Sequence, residues 1–431
     1  MIIFRKFSLI SFFVSALTAI GQEFYEESPL YYSEAEVDTP LTRIADRIEA
    51  GEKLLQGEDD RAILAEVLAL LEVPVESQTL VYSKTSAQNA RINPWTPRAI
   101  YFSDNAYVGW VQRGSIETIT FDPKLGAVFH LIDLDRREEG AAPAIRREAS
   151  CLSCHASSQT NGAPGILVRS VYPDESGRPL FDWGSFHTTH RSPIVERWGG
   201  WYVTGRAGPA GHLGNMTFSD QGRQSLVGGQ GPVSNLADHL NIEPYLGGGH
   251  SDVVALMILE HQVAVHNAIV SGHLATQRFL YQNEAIRKAT GEKSDAPLSE
   301  TYQNALQHYG DKIVRALLFE GEFELVDEGV EGGEAFQKAF ALPARKNKRG
   351  RSLRDLRLYE RLFKYRCSYL IYSEPFTHLH PLLKSEVLRQ IHHILTEPDK
   401  HPDFGYLSKS ERKHILSILS ETLPAWAEVN S

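Results

Sequence analysis

The most chemically distinctive stretch of this sequence is Cys151-Leu152-Ser153-Cys154-His155, in which two thiols three positions apart are followed at once by an imidazole. Two cysteines at this spacing can each form a thioether with one vinyl group of the same porphyrin. The histidine that follows can then bind the iron through Nε2. The pattern therefore predicts one covalently attached haem, with Cys151 and Cys154 as attachment sites and His155 as an axial ligand.

Two other uses of paired cysteines fit the sequence less well. A C-x-x-C redox motif is expected in a thioredoxin-like βαβ context, and no such context is visible. A structural zinc site needs a second pair of ligands at similar spacing, whereas the remaining cysteine, Cys367, stands alone. The residues favour covalent haem over both alternatives.

On these five residues the chain resembles the c-type cytochromes. The resemblance implies thioether bonds at Cys151 and Cys154 and an axial imidazole from His155. A single motif implies a single haem, so a relationship to the two-haem cytochrome c peroxidases is not supported. About two thirds of the chain also resembles a group of exported proteins with one haem motif. This resemblance implies no particular activity. The similar stretches are Ser157–Tyr172, Arg197–Gly205, His212–Asn215, Glu260–Asn267 and Cys367–Phe376.

The ligand on the other side of the iron decides what such a haem can do. A six-coordinate iron transfers electrons, whereas an open position binds or activates small molecules. His212 is the first candidate for a second metal ligand, because flanking glycines let the backbone approach a flat cofactor. Met216 is the second candidate, and an open position is the third. His187, His190 and Met257 are weaker candidates, and Met257 is expected in the core.

A long helix predicted from about Ser251 to Lys288 carries polar residues inside an apolar run, among them Glu260, His261 and His266. Polar groups in such a place need partners, so a buried hydrogen-bonded cluster is the favoured interpretation. A second metal site and a proton-delivery role are the alternatives. In an enzyme, Glu260 and His261 would be the acid and base.

The first 21 residues have the pattern of a secretory signal. Arg5 and Lys6 precede the apolar run Phe7–Ile20, and cleavage after Gly21 would make Gln22 the first mature residue. The apolar run is shorter than the ~20 residues of a membrane-spanning helix. We expect no later segment apolar enough to span a membrane, and we predict a periplasmic or other extracytoplasmic location.

Composition excludes several classes of protein. The 431 residues include 44 Lys and Arg against 54 Asp and Glu, a formal net charge of −10. An acidic balance argues against nucleic acid as the main partner, because binding to phosphates needs a basic surface. Three cysteines are too few for a disulfide scaffold.

The hydrophobic pattern predicts an α+β fold. Helical spacing covers Pro40 to Glu72 with breaks at Gly51 and Gly57, and five short β-type runs follow between Thr79 and Asp133. The region around the motif is rich in loops, and the C-terminal part is mostly helical. The predicted organisation is a signal peptide (1–21), an acidic, solvated arm (22–40), a helix with a small antiparallel sheet (41–135), a haem c-binding segment (136–250) and a helical region (251–431).

Three functions follow from these residues. The first is an exported cytochrome that transfers electrons to or from a redox partner protein. The second is a haem enzyme of peroxidase or oxidase type, and the third is a non-catalytic haem sensor. The basic stretch Arg345–Arg366 is expected to be a solvated helix face, with docking of an acidic redox partner as the alternative.

Replacing both motif cysteines, Cys151→Ala and Cys154→Ala, should abolish covalent haem because no thioether can then form. Acid–acetone extraction followed by a pyridine haemochrome assay measures the haem that stays with the protein. Haem that remained attached to the double variant through extraction would contradict the interpretation of the motif.

Overall fold

The computed structural model describes residues 23–134, 141–209, 211–228, 232–293, 297–326 and 328–430. The signal peptide predicted for residues 1–21 lies outside this range. The described part has the expected α+β architecture, with antiparallel sheet on the N-terminal side and helices on the C-terminal side.

Two helices precede the sheet, α1 (Pro40–Glu49) and α2 (Asp60–Leu70). Thr39 caps α1 in a reciprocal capping box, and Asp59 caps α2 through the backbone N–H of Ala62. Gly51 and Gly57 lie between the two helices, so the predicted interruption is confirmed.

A six-stranded antiparallel sheet follows, and its strands are in sequence order from one edge to the other. One face packs against α1 and α2 through residues such as Tyr101, Val108 and Ile132. The strands are β1 (Thr79–Val81), β2 (Arg98–Phe102), β3 (Ala106–Trp110), β4 (Ile116–Asp122), β5 (Gly126–Asp133) and β6 (Ala144–Arg147).

The segment after the sheet contains the motif and is dominated by loops. The motif forms a single helical turn, α3 (Leu152–His155). Two small hairpins follow, β7 (Arg169–Val171) with β8 (Ser185–His187) and β9 (Met216–Ser219) with β10 (Gly222–Ser225).

The C-terminal part is built around one long helix, α4, which Asp252 caps through the N–H groups of Val254 and Ala255. It lies on the second face of the sheet, where His266 contacts Tyr107 and Phe121. The remaining elements are α4 (Val253–Thr290), α5 (Glu300–Leu317), α6 (Glu334–Ala341), β11 (Leu356–Tyr359), β12 (Arg361–Phe363), α7 (Glu374–Thr377), α8 (Pro381–Thr396) and α9 (Lys409–Thr422).

By length and composition, α4 is apolar enough to cross a membrane, which differs from the expectation that no later segment reaches this hydropathy. Within the most apolar part of α4, 89% of the residues are buried inside the protein. In this structure the apolar side chains of α4 therefore pack against the rest of the chain. The absence of a membrane span after the signal stays a prediction.

Two local expectations are wrong. The segment from residue 23 to 38 is not a solvated arm, because Tyr25, Leu30 and Tyr32 are buried and the Tyr32 hydroxyl donates to the carbonyl of Ala127 at 2.6 Å. The basic stretch Arg345–Arg366 is not a helix face but contains the β11–β12 hairpin. The aromatic contacts of individual arginines, rather than helical periodicity, decide how that stretch packs.

Candidate functional site

The motif is positioned by a short helical turn. A 3-10 turn ends at Cys151 and α3 continues it to His155, so the cysteines are one turn apart and the imidazole lies one position further on. Cys151 is half-buried and Cys154 is exposed. The fold therefore presents both thiols and the histidine on the same turn, with one thiol at the surface.

The tautomer of His155 is fixed by its backbone partner. Nδ1 lies 2.8 Å from the carbonyl oxygen of Gly165, and because a carbonyl only accepts, Nδ1 carries the proton. Nε2 is then the nitrogen with a free lone pair, and it has no hydrogen-bond partner among the described residues. Burial lowers the pKa of this imidazole, which keeps it neutral. An N–H held by a backbone carbonyl is the usual second contact of a histidine that binds a metal.

A residue of α4 holds the segment that orients His155. The amide of Asn267 accepts from the N–H of Ile166 and donates to its carbonyl, both at 2.8 Å. Gly165 packs closely against the same amide, since a Cβ at position 165 would lie 2.5 Å from Asn267 Oδ1. The N–H of Gly165 also donates to the His155 carbonyl at 2.8 Å. Helix α4, Gly165 and the motif turn are thus linked by successive hydrogen bonds.

The second face of the sheet extends beside the motif as a partly apolar floor. The His155 ring packs on Phe129 with 5.0 Å between ring centroids. Strand register places Ile119 beside Phe129 on this face, and Ile100 and Leu131 lie in the neighbouring row. Ile100, Ile119 and Leu131 are all only half-buried.

This arrangement fits a flat, largely apolar cofactor. Half-buried apolar side chains lie beside two free thiols and an imidazole whose Nε2 is available. Ile100, Ile119 and Leu131 keep part of their surface accessible, and a flat apolar ligand could cover it. The residues that would hold a haem are Cys151, Cys154 and His155.

Charged residues lie within the same floor, because strand register places Glu117 beside Leu131 in the row that contains Ile100. Arg98 lies across Gly109 and forms an ion pair with Glu117, which also accepts from Gln88 Nε2 at 3.0 Å. Burial, followed by the nearby carboxylates of Glu117 and Glu148, raises the pKa of the Cys151 thiol to about 11. Cys151 is therefore protonated at neutral pH in the folded chain.

His212 lies in a different environment from the one expected of a metal ligand. Its Nδ1 accepts the backbone N–H of Gly214 at 3.0 Å, so the proton of the neutral ring is on Nε2. The ring packs edge-on against Trp198, and burial lowers its pKa to about 4. No hydrogen bond or ring contact within the described ranges joins His212 to the motif. Ligation by His212 stays a prediction, and it requires the contact with Gly214 to change.

The methionines differ in their surroundings. Met216 begins β9, and the Tyr82 hydroxyl donates to its carbonyl at 2.6 Å and accepts from its N–H at 2.9 Å. Its side chain is half-buried. Met257 is buried in α4, as the helical pattern indicates.

Glu260, His261 and His266 of α4 are fully buried and each has at least one polar partner, as the favoured interpretation expects, while Glu260 Oε1 and His266 Nε2 form no well-aligned hydrogen bond among the described residues. Glu260 accepts from Arg197 at 2.8 Å, and both side chains are almost completely inaccessible. Burial raises the pKa of the Glu260 carboxyl more than Arg197 lowers it. His261 Nε2 contacts the Ser368 hydroxyl at 2.8 Å, and its Nδ1 lies 3.3 Å from Nδ1 of His190.

His266 belongs to the same buried layer, with Nδ1 2.8 Å from the Tyr107 hydroxyl. Across the described ranges, no three His, Cys, Asp or Glu side chains come together as a metal-binding group. The structure therefore does not assemble a second metal site from Glu260, His261 and His266 in its present arrangement.

Sequence reasoning found the motif but missed the residues that orient it. Gly165, Asn267 and the half-buried sheet residues have no local signal, because their roles depend on contacts between distant segments.

Comparisons with known proteins add no relative. No protein-family model, no curated protein and no solved structure matches this chain.

Arg197→Met removes the charge that faces Glu260 while keeping most of the bulk. The free energy of unfolding should fall by about 3–5 kcal/mol at neutral pH, because a buried carboxylate is left unpaired. The raised pKa of Glu260 means that the folded state takes up a proton more readily than the unfolded chain. The loss should therefore shrink as the pH falls toward about 4.3, the ordinary value for a glutamate.

Urea unfolding of the variant and the unchanged chain at about pH 4 and about pH 7 measures this dependence. The double variant Arg197→Met/Glu260→Gln is the matched control and should regain most of the stability at pH 7. An equal loss at both pH values would contradict the role of the charge, and would assign the contribution of Arg197 to its packing and its hydrogen bonds to the carbonyls of Ser192 and His190.

Proposed function

We propose that this chain is an exported c-type cytochrome that carries one haem on Cys151 and Cys154, with His155 on the iron. The observation that carries the proposal is the hydrogen bond from His155 Nδ1 to the Gly165 carbonyl, which leaves Nε2 unprotonated and unpartnered among the described residues. The C-x-x-C-H pattern supplies the two attachment sites next to it.

A bound haem would supply a one-electron couple between ferric and ferrous iron. The protein residues would fix its place: the cysteines hold one edge and His155 holds the metal. The sheet residues Ile100, Ile119 and Phe129 would exclude water from its surroundings, which is one of the ways in which a protein tunes a reduction potential.

Electron transfer is favoured by the position of the covalent edge. Cys154 is exposed, so the side of the porphyrin attached to it would lie close to the protein surface. A redox partner protein docked there could exchange electrons without entering the core. The signal pattern of residues 1–21 supports a periplasmic or other extracytoplasmic location for this exchange.

A haem with an open position is the second candidate function, either as an enzyme or as a sensor. It is favoured by the contact of His212 with Gly214, which leaves Nε2 of the first-ranked sixth ligand protonated. An iron without a sixth protein ligand would bind small molecules.

Cyanide binding separates the two candidates. For an electron-transfer cytochrome we expect low-spin spectra in both oxidation states that do not change when cyanide is added. A high-spin ferric spectrum that shifts with cyanide would support the open-site function and contradict simple electron transfer.

Asn267→Ala tests how His155 is held. The cysteines are unchanged, so covalent haem should be retained. Asn267 acts through Ile166 and Gly165 and does not contact His155 itself. Loss of its amide should therefore weaken the bond from His155 to the iron by up to about 10-fold, the lower end of the range for the direct second contacts of metal ligands. Optical spectra should show a growing high-spin fraction and an altered reduction potential.

Gln277→Ala is the matched control, because Gln277 lies on the same helix and its amide donates to a different carbonyl, that of Lys124. It should leave the spectrum and the potential unchanged. An Asn267→Ala variant that is folded by circular dichroism and has an unaltered spectrum and potential would contradict the positioning role.

A further inference from the structure

A cavity of about 360 Å³ lies beside the segment that holds His155, with Ile166 and Asn267 among its lining residues. It is partly open to solvent and is bounded by α4, α5, the stretch from Ile166 to Val168 and the stretch from His187 to Arg191. Its volume is within the range of small-molecule sites. Neither the proposed haem attachment nor the buried pair Arg197–Glu260 uses this space.

One wall of the cavity is apolar. Ala264 and Ala268 of α4 lie one turn apart on the helix, and Val263 of α4 and Ala316 of α5 line the same space. Ile166 and its two neighbours add aliphatic side chains. This wall can take a hydrocarbon or ring, but it offers nothing to a fully polar ligand.

The other wall carries three buried polar atoms, His187 Nδ1, Thr188 Oγ1 and His190 Nε2, which form no well-aligned hydrogen bond within the described part of the chain. Thr188 faces the Glu260 carboxyl and His190 faces the backbone of Glu320, so these two have protein groups as neighbours. Buried polar atoms are almost always hydrogen-bonded, and His187 Nδ1, which has no such neighbour among the described residues, is the atom that indicates a ligand. Burial lowers the pKa of His190 to about 3, so its ring is neutral and acts through hydrogen bonds.

The charges around the cavity leave one cation available. Arg191 and Arg315 both pair with Glu320, and Arg315 also pairs with Asp311 and Asp403. Lys312 lines the same space and has no ion pair with a described acidic residue; its ammonium lies 5.6 Å from the ring centroid of Tyr309. The cavity therefore combines an apolar wall, a hydrogen-bonding wall and one positive charge.

We infer that this cavity is a second binding site, for a small amphipathic carboxylate. Its carboxylate would pair with Lys312 and take a hydrogen bond from His187. Its apolar part would lie against Val263, Ala264 and Ala268. The inference does not depend on haem, because every residue it uses lies outside the motif.

The test is isothermal titration calorimetry of the mature full-length chain with 3-phenylpropionate. Saturable binding at one site is expected, with weaker binding of the neutral analogue 3-phenylpropionamide. Lys312→Met should weaken binding by about 10- to 100-fold, as expected for loss of a hydrogen bond to a charged group. Ala268→Leu should weaken it by filling the apolar wall.

Lys346→Met is the control for the loss of a positive charge, because Lys346 is exposed and does not line the cavity. It should bind the probe as the unchanged chain does. Circular dichroism and thermal melting establish that each variant is folded.

The inference would be overturned if the carboxylate showed no saturable binding at millimolar concentration, or if Lys312→Met and Ala268→Leu both bound it as tightly as the unchanged chain does. It would also be overturned if the unchanged chain bound the amide as tightly as the carboxylate. Tighter binding of inorganic phosphate than of the carboxylate would overturn it as well, because the apolar wall would then have no role.

Discussion

The candidate site depends on one hydrogen bond, from Nδ1 of His155 to the backbone carbonyl of Gly165. A carbonyl cannot donate, so this contact determines which ring nitrogen is protonated and which can bind a metal. The opposite case occurs at His212, where a backbone N–H occupies Nδ1 and moves the proton to Nε2. His155 and His212 were both predicted as metal ligands from the sequence, but their different backbone partners place the ring proton on different nitrogens.

Helix α4 supports this hydrogen bond from the core of the molecule. Asn267 fixes Ile166, and the neighbouring His266 contacts the sheet through Tyr107, so one helix joins the motif segment to the sheet. Two turns earlier, the same helix buries Glu260 against Arg197. Polar groups in a core helix are costly unless they are paired, and here the pairing fixes the position of the segments that surround the motif. The cavity beside Ile166 is a consequence of the same arrangement.

Part of the fold and of the candidate site could be predicted from the sequence, for reasons that differ between the motif, the secondary structure and the long-range contacts. The spacing of Cys151, Cys154 and His155 indicates its chemistry directly, since the attachment geometry is local. The hydrophobic pattern identified α1, α2, strands β1 to β5 and the apolar α4. It missed β6, because Ala144–Arg147 lies in a charged stretch. The contact of Asn267 with Ile166 joins residues 101 positions apart, and no local pattern reports it.

The errors have similar causes. The basic stretch was expected to be a solvated helix, yet the Arg354 guanidinium is buried over the rings of Phe340 and Tyr369 and pairs with Asp104. The N-terminal acidic segment was expected in solvent, yet Tyr25 and Tyr32 pack into the core. In both cases charged residues dominate the composition while a few aromatic contacts decide the packing. The half-buried sheet floor beside the motif could not be foreseen either, since it appears only once strand register is known.

The most direct test of the central claim is the haem content of the mature protein, produced in a host with a cytochrome c maturation system. Its optical spectrum is recorded in both oxidation states, with a pyridine haemochrome assay before and after acid–acetone extraction. The account predicts a c-type α-band, one haem per chain and no loss on extraction. A protein that showed no such band, or that released all its haem on extraction, would contradict the account and leave Cys151 and Cys154 as a redox or metal-binding pair.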